Sequence, residues 1–208
     1  MPQAASMTEG APSESREAAP PRMYLAGPEV FLPNARDVAQ GKKALCRAYG
    51  FKGVFPLDVD LGTDNNIQGD GLARKISESN EALMTQCDAL IANLTPFRGV
   101  SADVGTAFEV GFMRGLGKPV YGYTNVPVDY RDRVATYLEI MTQEAFEDHT
   151  TGMSVEDFGL SDNLMIEIAI QNSPSAVHRT VPTSDVMADL VGFEACLKDA
   201  SRHFGTLS

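Results

Sequence analysis

Short apolar segments alternate with stretches of helical periodicity along this chain, and that alternation constrains its fold more than any other feature. Residues 23–27 (MYLAG) read as a strand closed by Gly27 and Pro28. Residues 54–57 (VFPL), 88–93 (DALIAN) and 119–123 (PVYGY) read as three more strands. Helices are expected between them: residues 34–49, closed by Gly50; 72–86, with Ile76, Leu83 and Met84 near one face; and 104–116, stopped by Gly117. A polar stretch rich in Gly, Asn and Asp, residues 58–71, reads as a long loop of the kind often used for function. Residues 125–160 carry no clear period. A helix over 163–171, a short strand near Ala176 and Val177 and a last helix over about 184–202 close the chain. Strands alternating with helices at this spacing imply right-handed βαβ units and a parallel sheet.

The chain has 208 residues, enough for one domain with a full core. Residues 1–21 contain no Val, Ile, Leu, Phe or Tyr, so they cannot offset the entropy of ordering and read as a disordered leader before a single domain over 22–208. They also lack the apolar stretch of a secretory signal. Nothing in the chain approaches the ~20 apolar residues that span a bilayer, so no membrane partner is expected. Acidic residues outnumber basic ones, 28 to 17, for a net charge of -11. Binding of a nucleic acid polymer through its phosphates is disfavoured. Cys46, Cys87 and Cys196 are far apart and show no CxxC spacing, which argues against a disulfide framework or a zinc site and fits reduced thiols in the cytoplasm. His149, His178 and His203 are equally scattered.

In an open α/β sheet, ligands bind beyond the carboxyl ends of the strands. Three loops fall there: 27–34, 58–71 and 95–103. The GxGxxG and GxxxxGK[ST] patterns are absent, so dinucleotide and ATP sites are unsupported. The informative stretch is residues 93–112 (NLTPFRGVSADVGTAFEVGF). Asp103 is placed to cap a helix, Gly105 and Gly111 permit close approach, and Glu109 interrupts an apolar run one and a half turns into the helix.

Three segments together, YLAGPEVF at 24–31, the 93–112 stretch and GLSDNLM at 159–165, resemble the nucleoside 2-deoxyribosyltransferase family over about residues 22–170. The resemblance implies a doubly wound α/β domain, flavodoxin-like or Rossmann-like, with about five parallel strands. It makes Glu109, in the D-x-G-T-x-x-E-x-G element, the nucleophile, and it assigns Asp103 and Tyr24 to the same catalytic centre. Gly27, Pro28, Phe31, Asp58, Asp60, Asn80, Asn163 and Met165 become substrate contacts, with Asn80 standing where some members carry Asp. The element containing Asn163 and Met165 is supplied by a neighbouring subunit, so a homo-oligomer of at least two chains with shared sites is implied. The partners are 2′-deoxynucleosides and free purine or pyrimidine bases. No metal or organic cofactor is required.

Two other readings stay open. A hydrolase of the same superfamily would use the same Glu but give the sugar to water, acting on a deoxynucleoside or deoxynucleotide. Its 5′-phosphate would need donors near the first loop, and AGPEVF is apolar and acidic. A non-catalytic nucleoside sensor is the second, since fold alone does not prove activity.

Overall fold

The computed structural model describes residues 19–58, 68–143, 154–183 and 185–207, without the side chains of 140–143. Residues 1–18 of the leader, Asp60 and His149 lie outside the described residues. Five parallel strands form one sheet: β1 (Arg22–Ala26), β2 (Lys52–Val54), β3 (Ala89–Asn93), β4 (Val120–Thr124) and β5 (His178–Arg179). Their spatial order is β2-β1-β3-β4-β5. Six α-helices are described: α1 (Ala35–Ala48), α2 (Asp70–Gln86), α3 (Val104–Gly115), α4 (Tyr130–Gln143), α5 (Leu164–Gln171) and α6 (Val191–Phe204). The order reverses between β1 and β3, and a doubly wound sheet opens a crevice at that reversal.

The strands alternate their side chains between two cores. Met23, Leu25, Ile91, Tyr121 and Tyr123 face α1 and α6, where they meet Cys46, Phe193 and Leu197. Tyr24, Ala26, Leu90, Ala92 and Val120 face the other way, toward Met84, Val110, Met113 and Ile170 of α2, α3 and α5. Burial on both faces explains why β1, β3 and β4 are continuous apolar runs. Cys46, Cys87 and Cys196 are buried and unpaired in these cores. No helix among the described residues is long and apolar enough to cross a membrane.

Three elements depart from the sequence reading. The second strand was expected over 54–57 but occupies Lys52–Val54, and Pro56–Asp58 is a 3-10 turn. Pro56 has no N–H for a ladder, and the Asp58 carboxylate accepts the Phe55 N–H at 2.9 Å, which closes the turn. The last strand lies at His178–Arg179 and not at 176–177. The last helix starts at Val191, not near 184. Asp185 and Asp189 instead accept the N–H groups of Met187 and Val191, and this local bonding competes with an earlier helical start. Within the unassigned stretch 125–160, α4 is tied back by Tyr130 N–H to the Leu160 carbonyl at 2.9 Å.

Candidate active site

Tyr24 is near the middle of β1 and points to the α3 side of the sheet. Glu109 lies in the second turn of α3. The Tyr24 hydroxyl donates to Glu109 Oε1 at 2.7 Å, joining residues 85 apart in sequence. Burial holds the Tyr24 phenol far above its usual range, so it is a fixed donor. Burial also pushes the Glu109 carboxyl from 4.5 to about 7; the Tyr24 hydrogen bond opposes this, while the charges of Asp103 and Glu29 add to it.

Glu109 lines an open cavity of about 310 Å³ beyond the carboxyl ends of β1 and β3. Among the described residues, Gly27, Val30, Phe31, Pro56, Leu57, Ile76, Asn80, Asp103, Gly105 and Thr106 also line it. Asp103 caps α3 by accepting the Thr106 N–H at 3.1 Å. A Cβ at Gly105 would stand 3.0 Å from that carboxylate, so the glycine keeps this corner open. Asn80 Oδ1 is buried and has no hydrogen-bond partner among the described residues. The wall is otherwise mostly apolar, as suits the face of a planar ring.

Of the residues singled out in the sequence, the structure thus gathers Gly27, Phe31, Asn80, Asp103 and Glu109 around one cavity, with Tyr24 behind Glu109. Pro28 opens the 3-10 turn that carries Phe31. Asp58 is turned elsewhere. Its carboxylate pairs with Lys43 and caps Phe55, because the 3-10 turn aims it at α1 and away from the cavity. Asn163 and Met165 do not line this chain's own cavity. Asn163 caps α5 through the Met165 N–H at 3.0 Å and donates to Glu156, while Met165 is 73% exposed.

Sequence reasoning passed over Thr106 and Ile76 as wall residues. A helical signal was available: Thr106 lies midway between Asp103 and Glu109 on one face, and Ile76 is one turn before Asn80. It also missed a cation near the first loop. Arg98, from the loop after β3, stacks its guanidinium 4.9 Å from the Phe31 ring and 4.6 Å from the Phe97 ring.

The raised Glu109 value has a stability consequence. The folded chain holds the proton more tightly than an unfolded one, so the carboxyl carries no penalty below about pH 4.5 and an increasing one as pH rises through 7. Glu109→Gln should therefore raise the thermal midpoint at pH 8 and leave it nearly unchanged at pH 4. The expected gain at pH 8 is up to roughly 3 kcal/mol, and thermal unfolding of both proteins at the two pH values checks it.

Relatives place the chain in a family. Residues 23–165 match the sequence family described as nucleoside 2-deoxyribosyltransferase. An uncharacterized protein of Schizosaccharomyces pombe is 34% identical over 165 residues, covering 74% of this chain and 78% of the relative. Among solved structures, a 2-desoxiribosyltransferase from Leishmania mexicana is 30% identical with a TM-score of 0.57, covering 88% of this chain and 99% of its own. A conserved protein from Enterococcus faecalis V583 is 17% identical with a TM-score of 0.51 over 88% of this chain and 99% of its own, and it shares the fold. A match running from the first strand to the start of α5 takes in both Tyr24 and Glu109, and the chain belongs to the nucleoside 2-deoxyribosyltransferase family.

Proposed function

We propose that the chain transfers a 2-deoxyribosyl group between nucleobases by a retaining double displacement on Glu109. The observation that carries this reading is the partly buried Tyr24–Glu109 hydrogen bond at the wall of an otherwise largely apolar cavity. The Glu109 carboxylate attacks C1′ of a 2′-deoxynucleoside. The glycosidic C–N bond breaks, its electron pair leaves with the base, and the base takes up a proton. Positive charge on the sugar ring is stabilised by the adjacent carboxylate, as in retaining glycosidases. A nitrogen of a second base then attacks C1′ of the ester, releasing the Glu109 carboxylate and losing its proton. Two inversions retain the β configuration and give ping-pong kinetics.

In this reading Tyr24 orients the nucleophile, Asp103 takes a sugar hydroxyl, and Asn80 offers its amide to the base. Gly27, Pro28 and Phe31 shape the wall. Residues 22–208 act as one domain behind the 1–21 leader, and no cofactor enters either displacement. Asn163 and Met165 serve the cavity of a neighbouring copy. Support for that assembly comes from apolar side chains in the open on two helices that pack together: Val104 (85% exposed) and Phe108 (56%) on α3, with Met165 and Ile168 on α5.

Incubation with deoxyinosine, with and without adenine, tests the function. Deoxyadenosine supports transfer, deoxyribose alone supports hydrolysis, and neither product removes both. The Arg98 guanidinium beside Phe31 favours a second reading in which the sugar carries a 5′-phosphate. Running the same assay with deoxyinosine 5′-monophosphate separates the two.

A nucleophilic carboxylate must be ionised, so kcat/KM should rise with pH through about 7. Tyr24→Phe removes the hydrogen bond that favours the ionised form. The midpoint should then move upward, and kcat should fall by roughly tenfold or more. A pH–rate profile of the two proteins checks both effects; an unmoved midpoint would separate Tyr24 from the nucleophile.

A further inference from the structure

Lys42 stands on the buried stripe of α1 together with Ala35, Val38, Ala39 and Cys46. An ammonium on such a stripe needs a partner. That partner is Glu29, in the 3-10 turn after β1, and both side chains are 0% exposed. Three donors converge on one oxygen of the Glu29 carboxylate. Oε1 accepts from the Lys42 ammonium, from Asn93 Nδ2 at 2.8 Å and from the Tyr123 hydroxyl at 3.1 Å. The remaining oxygen, Oε2, is buried and has no hydrogen-bond partner among the described residues.

The unpartnered oxygen has a definite address. A Cβ built on Gly27 would collide with Oε2 and stand 2.9 Å from Asn93 Cβ. Gly27 is part of the cavity wall, so the carboxylate oxygen lies directly behind that wall. The ammonium sits on the far side of the carboxylate, 5.6 Å from the Tyr123 ring and 5.1 Å from the Phe193 ring of α6. The pair is therefore an oriented dipole. Its negative end abuts the cavity and its positive end is sunk between α1 and α6. A strut that served only to hold the turn would gain by satisfying both oxygens, because a buried lone oxygen is costly.

We propose that Glu29, held by Lys42, is a positioning residue whose negative end behind Gly27 acts through the cavity wall on the Glu109 carboxylate and favours positive charge on the sugar. The inference rests on the reading of Glu109 as nucleophile. Among the described residues, few charged or polar groups act on Glu109. From β1 there is the Tyr24 hydroxyl, from the start of α3 the Asp103 carboxylate, and from the first loop Glu29. From α2 the cavity receives the neutral amide of Asn80. On α5, Glu167 is turned to Ser161 and Gln171. A preorganised charge of this kind acts on the transition state without moving.

The test uses the full chain with Glu29→Gln and with Glu29→Gln/Lys42→Met. The single variant leaves a buried ammonium without its carboxylate and can fail to fold; the double variant removes both charges, and Met suits the aromatic surroundings of Lys42. Glu109 is titrated by carbon-13 NMR, its signal assigned by its loss in Glu109→Gln, and kcat and KM are measured for deoxyinosine with adenine. In the double variant Glu109 should titrate at least about half a unit below wild type, with a larger fall in the single variant where the ammonium is unopposed. Kcat should drop about tenfold while KM stays within about threefold. An unchanged Glu109 titration in a folded double variant overturns the proposal and leaves Glu29 a strut for the loop. The titration needs no turnover, so it decides the matter even if wild type neither transfers nor hydrolyses, a result that would overturn the proposed function alone.

Discussion

Glu109→Ala should lower base exchange by about a thousandfold or more while the protein stays folded. The direction follows from the double displacement: without the carboxylate there is no ester, and the second base has nothing to attack. The fold survives because, among the described residues, the side-chain hydrogen bond of Glu109 is the one from Tyr24. Its loss leaves one buried hydroxyl unpaired, a cost of about 1–3 kcal/mol. Removal of a partly buried carboxylate that resists ionisation offsets that cost. Wild-type protein given deoxyinosine alone should accumulate a deoxyribosyl adduct on the peptide containing Glu109, and peptide mass spectrometry reads it directly. Exchange within about tenfold of wild type in a folded Ala variant would remove Glu109 from the mechanism.

Mixing two inactive proteins should restore activity. Glu109→Ala and Asn163→Ala each lack one part of every pocket if Asn163 serves a neighbour. In a mixed dimer one pocket carries both lesions and the other carries neither. Random exchange makes about half the dimers mixed, each with one competent pocket of two, so about a quarter of wild-type activity should return. The two proteins are incubated under conditions that allow subunit exchange, and mixed oligomers are confirmed by differently tagged chains. Persisting inactivity in verified mixed oligomers means that Asn163 serves its own chain. The loss of its helix cap, about 1 kcal/mol, is too small to unfold the variant.

The elements that were legible in the sequence are those whose pattern is set by burial on both sides. The apolar runs of β1, β3 and β4 and the period of α3 fall within a residue or two of their observed bounds. The misplaced ones were decided by single side chains acting over a few residues. Asp58 could be read as a pocket residue because sequence spacing does not show which way a 3-10 turn aims it, and Lys43 on α1 captures it. Asp185 and Asp189 delay α6 in the same local manner. Helix α4 stayed hidden because its anchor is the Leu160 carbonyl, thirty residues away. Glu109 and Asp103 stood out because a carboxylate among apolar residues and a cap at a helix start are both local signals. Glu29 did not, since nothing in AGPEVF shows that Lys42 will fold over it. The lysine in the apolar stripe of α1 was the available clue.

Asp103 and Asn163 each close the start of a helix with the same side chain that the proposed chemistry employs. That double duty restricts how such a pocket can drift. Few residue types cap a helix well, so these two positions can explore only a narrow alphabet before the protein loses stability. Leu57, Ile76 and Asn80, in the same cavity wall, cap none of the described helices. New base preferences should therefore be acquired there, and libraries aimed at those three positions should yield folded variants far more often than libraries aimed at the caps.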